Sequence, residues 1–305
     1  MLDTQTGKAL HSLLAAETAD LPPPPWTLIG EGVWGSVHDL GDGTVIKLTR
    51  RHGGLGSGEA LHLRETIALS AIGGLATDYV EVPRLIAHGT FDNAYIGSAP
   101  PLAGWLRLTR LAGKPLSATS LYGASADARG RLGERIGAAI ADFNRHATER
   151  AQAAGLKLGD TVARTIGLAR SRLGQPGLHD AADRLADAWA GQIGKGRLVF
   201  IHGDLNTDNI IDMGDRLGFV DLAEAGWSLA EVDFRHLEEM GTLRDAVFRG
   251  YAARTGTSPD LDIYYPAVAA NALTAIALHG QAGHPRDAMR RSGFFHHCME
   301  RAGLS

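Results

Sequence analysis

The chain has 305 residues, of which 44% are hydrophobic and 21% charged; that is enough apolar material for two packed lobes and excludes a disordered polyelectrolyte. Its formal net charge of −4, from 30 basic and 34 acidic side chains, excludes the domain-wide basic excess of a nucleic-acid binder. A single cysteine, Cys298, excludes an internal disulfide, and there is neither a secretory leader pattern nor an apolar run of the roughly 20 residues that span a bilayer, so a cytoplasmic protein without a membrane segment is expected.

In chain order, residues 1–20 read as a short, weak helix and Pro22 to Pro25 as a stiff extended lead-in. From Trp26 to about Leu48 the pattern is strand, glycine-rich turn, strand, GDG turn, strand. RRHGGLGSG (50–58) reads as a loop, Glu59 to Ile72 as a helix, and RLIAHG (84–89) and GWLRLTRL (104–111) as strands. LAGKPL then looks like a break. Helical periodicity follows at 126–154, 160–173 and 178–193, then a short β region from RLVFIHG to GFVDLA. Helices are expected again at about 230–240, 242–255, 262–280 and 285–302. Strands gathered in the first third and helices after it predict an α+β protein of two lobes. A small antiparallel sheet occupies residues 1–111, and a larger, mostly helical lobe occupies 112–305.

The first motif is Gly30-Glu31-Gly32-Val33-Trp34-Gly35-Ser36-Val37, a G-x-G-x-x-G-x-V. In a dinucleotide fold such glycines end a strand and open a helix. Here HDLGDGTVIKL continues as strand, turn, strand, so a hairpin lid over phosphates fits better, with Gly30, Gly32, Gly35 and Val37 against the nucleotide. The rival is a glycine-rich turn with no ligand. Lys47 lies inside the apolar strand VIK, a costly place unless its ammonium meets an anion. A nucleotide phosphate or a helix carboxylate would serve. Glu65 in LRETIAL is the preferred carboxylate and Glu59 the alternative, while a snorkelling edge lysine is the bland reading.

The second motif is His202-Gly203-Asp204-Leu205-Asn206-Thr207-Asp208-Asn209, followed by Asp221 at a strand end in FVDLA. Phosphoryl transfer needs a carboxylate to accept or orient a hydroxyl proton, here Asp204, and oxygen ligands for Mg²⁺, here Asn209 and Asp221. His202 reads as a loop brace, and Asn206 and Asp208 as turn formers.

HGDLNTDN resembles the catalytic loop of the aminoglycoside phosphotransferase and choline kinase branch of the protein-kinase-like fold, in which glycine replaces the arginine usual in protein kinases. GFVDLAEAGWSLAEVDF resembles that branch's metal-binding segment, and VPRLIAHG with LRLTRLAGKPL its strands leading to the interlobe hinge. The resemblance runs over roughly residues 28–255. It implies ATP and Mg²⁺ as cofactors and a small-molecule hydroxyl as acceptor. It further implies that Lys47 contacts the α/β phosphates, that Glu65 holds Lys47, that the backbone of Thr109, Arg110 and Leu111 meets the adenine edge, and that Asp233 serves the catalytic loop as a structural acceptor. The sequence departs from the family pattern in its protein-kinase-like glycine loop, with Trp34 at the tip, and in Phe143-Asn144 where Leu-His is usual.

Three functions compete. A small-molecule kinase is the leading reading; an atypical protein kinase or autokinase is the alternative, opposed by the absence of a long segment after Asp221; a nucleotide-binding pseudokinase is disfavoured by an intact Lys47, Asp204, Asn209 and Asp221. Glu224, Glu231, Glu238, Glu239 and Asp245 suggest an acidic wall for a cationic amino sugar or amino alcohol, against a simply solvated helix face. Trp227, Tyr264 and Tyr265 are candidate aromatic walls, against a packing role. His279, His284, His296, His297 and Cys298 lack a four-ligand zinc pattern.

Overall fold

A computed structural model describes residues 4–18, 20–53, 55–91, 100–116, 124–237, 243–281 and 285–304. Helix α1 (Thr4–Leu14) is followed by β1 (Thr27–Gly32), β2 (Gly35–Asp39) and β3 (Thr44–Arg50), then α2 (Gly58–Ile72), β4 (Val80–Glu81), β5 (Leu85–Thr90) and β6 (Leu102–Thr109). Five strands form one antiparallel sheet in the order β1-β2-β3-β6-β5. The β2–β3 turn is written in its residues. Gly41 and Gly43 both take positive φ, where a side chain would be strained, and the Asp39 and Asp42 carboxylates accept from the N–H groups of Gly41 and Thr44. Leu10 and Leu14 of α1 pack with Ile46, Leu48 and Trp105 of the sheet.

The larger lobe holds β7 (Lys114–Pro115), α3 (Ala126–Ala153), α4 (Thr161–Arg170), α5 (Pro176–Ile193), β8 (Val199–Ile201), β9 (Ile210–Asp212), β10 (Leu217–Phe219), β11 (Gly226–Ser228), α6 (Arg244–Thr255), α7 (Leu261–Gln281) and α8 (Pro285–Arg301). Its strands form two small sheets, β4-β10-β9-β7 and β11-β8. The segregation of a small antiparallel sheet from a helical lobe is the α+β arrangement that the order of elements implies. The strand β4, which lies in the first third of the sequence, nevertheless pairs in parallel with β10. One apolar core runs through both lobes, from Leu69, Ile72 and Leu106 to Phe143, Phe219 and Val247.

Helices α3 and α6 cross at backbone contact because glycines stand at the crossing. A Cβ on Gly137 would lie 2.0 Å from the Val247 carbonyl oxygen, and one on Gly250 would lie 2.1 Å from that of Glu134. Helix α7 contains a 19-residue stretch, Leu261–His279, that is long and apolar enough to cross a membrane, but 61% of it is buried in the protein. It is the core helix of the larger lobe, with Tyr264, Ala267, Ala270 and Leu273 shielded from solvent.

One expected element differs. Of the helix predicted at about 230–240, the described part opens as a short 3-10 turn, Ala230–Phe234, and residues 238–240 lie outside the described residues. The reason is Asp233, whose buried carboxylate is drawn back to the His202–Gly203 backbone, so this segment is held by a tertiary contact instead of propagating as a solvated helix.

Candidate active site

Strand β3 presents Lys47 to α2 and to the end of β10. The Lys47 Nζ lies 2.9 and 2.7 Å from the two oxygens of Glu65 and 2.8 Å from Asp221 Oδ1. The preferred partner is therefore Glu65; Glu59 turns outward to Ser57 and Arg51. Burial alone would lower the ammonium's pKa, but the two carboxylates reverse this and hold it far above its usual value. The Glu65 carboxyl goes up, to about 7, because burial and the nearby Asp221 outweigh Lys47. One cation thus serves two carboxylates, and the cluster can accommodate further positive charge. Asp221 itself has left-handed backbone, φ 66°, an uncommon state for a non-glycine residue. It lets the chain turn from β10 directly into a 3-10 turn, Leu222–Glu224, with the carboxylate partly open to the cleft.

The loop between β8 and β9 is tied down from below. Asp233, 1% exposed, accepts from the N–H of Gly203 at 2.7 Å, from that of His202 at 3.2 Å and from Asn144 Nδ2 at 2.8 Å. Asn144, where the resemblance led to a histidine, thus holds the anchor of the loop. His202 is fully buried between Phe143 and Phe219. Burial lowers its pKa, and the neutral ring braces the loop, its Nε2–H donating to Val220 O at 2.9 Å while Nδ1 accepts from the Asp204 N–H at 3.3 Å. Gly203 has φ 83° and would place a Cβ 2.4 Å from Glu224 O, so only glycine fits.

The result is a partly exposed Asp204. Its Oδ2 accepts from Asn209 Nδ2 at 3.1 Å and Asn206 Nδ2 at 3.3 Å, and its Oδ1 lies 2.8 Å from His236 Nε2. Burial would push this carboxyl up, but the hydrogen bond and charge of His236, then Arg235 and His202, carry it well below the usual carboxylate range. It is ionised at neutral pH. Asn209 spends its Nδ2 on Asp204, which leaves its amide oxygen as a donor for a cation. Arg235 and His236 were not among the residues singled out from sequence. The available signal was two basic side chains, an arginine and a histidine, interrupting the apolar pattern of VDFRHL shortly after the loop anchor.

In the glycine-rich hairpin, Gly32 pairs with Gly35 across Val33 and Trp34. A Cβ on Gly35 would meet Leu48 O at 2.1 Å, whereas Gly32 has nothing within 4 Å and Gly30 only Val37 at 3.9 Å. The fold therefore explains Gly35 sterically and leaves Gly30 and Gly32 with open faces. Val37 pairs with Lys47 across β2 and β3. Arg50 ties the tip: its N–H donates to Trp34 O, its Nη1 to Gly32 O, and it pairs with Glu31. Trp34 packs over Gly53. At the hinge, the N–H groups of Thr109 and Arg110 are spent on Arg84 O and Gly43 O, so of those three residues Leu111 is the one whose N–H the fold does not commit among the described residues.

Among the described residues the acidic wall does not assemble. Glu224 is paired with Arg164 and Thr161, Glu231 accepts from the Asp260 N–H, and Asp245 is solvated beside Arg244; Glu238 and Glu239 lie outside the described residues. The aromatic residues pack: Trp227 donates to Leu156 O and meets Phe200 edge-on, and Tyr264 and Tyr265 are buried together. No group of three or more potential metal-binding His, Cys, Asp or Glu side chains occurs among the described residues; His296 and His297 are exposed and Cys298 is buried, and His284 lies outside the described residues.

Comparison with known proteins bears on the fold and the family. A sequence profile of the APH phosphotransferase enzyme family matches residues 55–269. No curated protein sequence matches the chain significantly. Among solved structures, the GDP complex of wild-type aminoglycoside 2'-phosphotransferase-IIIa superposes with a TM-score of 0.67 at 16% identity, covering 99% of this chain and 100% of that one. A choline/ethanolamine kinase family protein from Mesorhizobium loti does so with a TM-score of 0.64 at 16% identity, covering 98% and 96%. The macrolide 2'-phosphotransferase MphH from Brachybacterium faecium gives a TM-score of 0.56 at 20% identity, covering 93% and 96%. The profile spans most of the chain, and the chain belongs to the phosphotransferase enzyme family.

Proposed function

We propose that the protein transfers the γ-phosphoryl group of ATP, with Mg²⁺, to a hydroxyl group of a small molecule. The observation that carries this is that the Lys47–Glu65–Asp221 cluster adjoins the braced Asp204 and Asn209, the two being joined where Val220, next to Asp221, donates its N–H to Asn209 O at 3.0 Å. In this reading Gly30, Gly32 and Gly35 let the hairpin backbone close over the phosphates, Lys47 holds the α/β phosphates while Glu65 positions it, and the chain beside Leu111 meets the adenine edge. Asp204 orients the acceptor hydroxyl and takes its proton. The Asn209 amide oxygen and the half-open Asp221 carboxylate suit Mg²⁺, which is commonly held by one or two protein oxygens with phosphates and water completing the shell. Mg²⁺ bound there would offset charge developing on the phosphoryl oxygens.

The chain after Asp221 passes straight into the Leu222–Glu224 turn and β11, a path that offers no platform for a peptide and weighs against a protein acceptor. The test uses γ-labelled ATP, Mg²⁺ and a cell extract, fractionated afterwards into small molecules and macromolecules. Label in a new small molecule is the expected result. Label confined to protein would overturn the small-molecule reading.

A further inference from the structure

Arg235 is 5% exposed, follows the loop anchor Asp233 by two positions and turns its guanidinium toward Asp204. Its Nε and Nη1 are buried and without a hydrogen-bond partner. Its Nη2 lies 3.9 Å from Asp204 Oδ1, beyond hydrogen-bond range. A buried guanidinium whose N–H groups are unmatched is costly, and it is retained where an anion completes it. Asp204 does not fill that role. Its Oδ1 already has His236 Nε2 at 2.8 Å, and as the group that orients the acceptor hydroxyl it must stay available to that hydroxyl. The described acidic residues that closely precede it in the chain are spent as well, Glu224 on Arg164, Glu231 on the Asp260 N–H and Asp233 on the loop backbone.

We propose that Arg235 recognises an anionic group, a carboxylate or a phosphate, carried by the acceptor close to the hydroxyl that is phosphorylated. The proposal rests on the kinase reading above and specifies its substrate class. A planar guanidinium presents paired N–H donors that match two oxygens of a carboxylate or phosphate. The corner of the fork nearest the cleft, Nη2, is the one beside the partly exposed Asp204, so the bound anion and the reacting hydroxyl are neighbours on one molecule.

The test is calorimetric titration of inorganic phosphate into the full chain saturated with Mg²⁺ and a non-hydrolysable ATP analogue, so that the γ-phosphate position is filled. Wild type is expected to bind phosphate, and Arg235→Gln to bind it about 10-fold more weakly or worse, with analogue affinity unchanged. Arg235→Lys, which keeps the charge and loses the fork, should fall between the two and guards against a fold defect in Arg235→Gln; circular dichroism checks both. No phosphate binding in wild type, or equal binding in all three proteins, overturns the proposal. Phosphate binding only without the analogue, together with weakened analogue binding in Arg235→Gln, also overturns it and assigns the guanidinium to the nucleotide. Failure of wild type to bind the analogue at all would instead remove the kinase reading, and phosphate affinity of the analogue-free proteins would then decide the anion site alone.

Discussion

At the scale of single residues, the charged groups of the site should behave differently when altered. On the proposed mechanism Asp204→Ala removes the group that orients the hydroxyl and is expected to lower kcat by about 10²–10⁴-fold with little change in MgATP affinity, as measured by steady-state kinetics beside calorimetry. Near-normal turnover would reject the role. Lys47→Met leaves Glu65, 2% exposed, without its cation, and should cost about 3–5 kcal/mol of stability. Adding Glu65→Gln should restore part of that loss in a double-mutant cycle of urea unfolding; strict additivity would mean that the pair is not coupled. The placement of Lys47 beside Glu65 and Asp221, and of Asn209 beside Asp204, was legible in the sequence because the motifs keep particular residue types at particular spacings. Arg235 and Asn144 were not, since their roles arise from neighbours about 30 and 90 positions away, which no local pattern records.

Among elements, the glycine-rich hairpin owes its set to Arg50, which lies outside it. Arg50→Ala should loosen the tip and raise the KM for ATP roughly 3–10-fold, a loss of about two hydrogen bonds, with unfolding free energy nearly unchanged; an unaltered KM would show that the tip is held by other contacts. The α3–α6 crossing depends on bare backbone. Gly137→Val should destabilise by about 1–3 kcal/mol or more through overpacking, read as a lower urea midpoint, whereas a change at Gly130, which has open space around it, should not. The strands and helices with clean periodicity were readable in the sequence. Two-residue strands such as β4 and β7, and the 3-10 turn at Ala230–Phe234, were not, because they exist only through partners supplied by distant chain.

For the whole molecule, acid stability should depend on its buried histidines. Burial lowers the pKa of His38, His62 and His202, that of His62 to about 4 with further lowering from His88 and Lys47. Their unfolded value is 6.5. Below that pH the unfolded chain binds protons that the folded one refuses, so this contribution is complete above 6.5 and is lost as pH falls towards 4. Glu65 and Asp233, with raised pKa, act in the opposite direction, so the informative quantity is a difference. His62→Gln should lose roughly 2 kcal/mol less than wild type between pH 7 and pH 5 in urea unfolding; parallel pH profiles would show that His62 takes up its proton without penalty.

The pairing of β4 with β10, together with a core that runs from Leu69 and Ile72 to Phe143 and Phe219, bears on modularity. The cleft is a crease in one folded body, and the lobes are not separable cassettes. A chimera that exchanged the smaller lobe with that of a relative, cut after Leu111, would carry away Val80 and Glu81 and leave the outer edge of β10 bare. A graft that respects the packing has to leave the stretch from Val80 to Val82 with its host, even though the sequence places it among the strands of the other lobe.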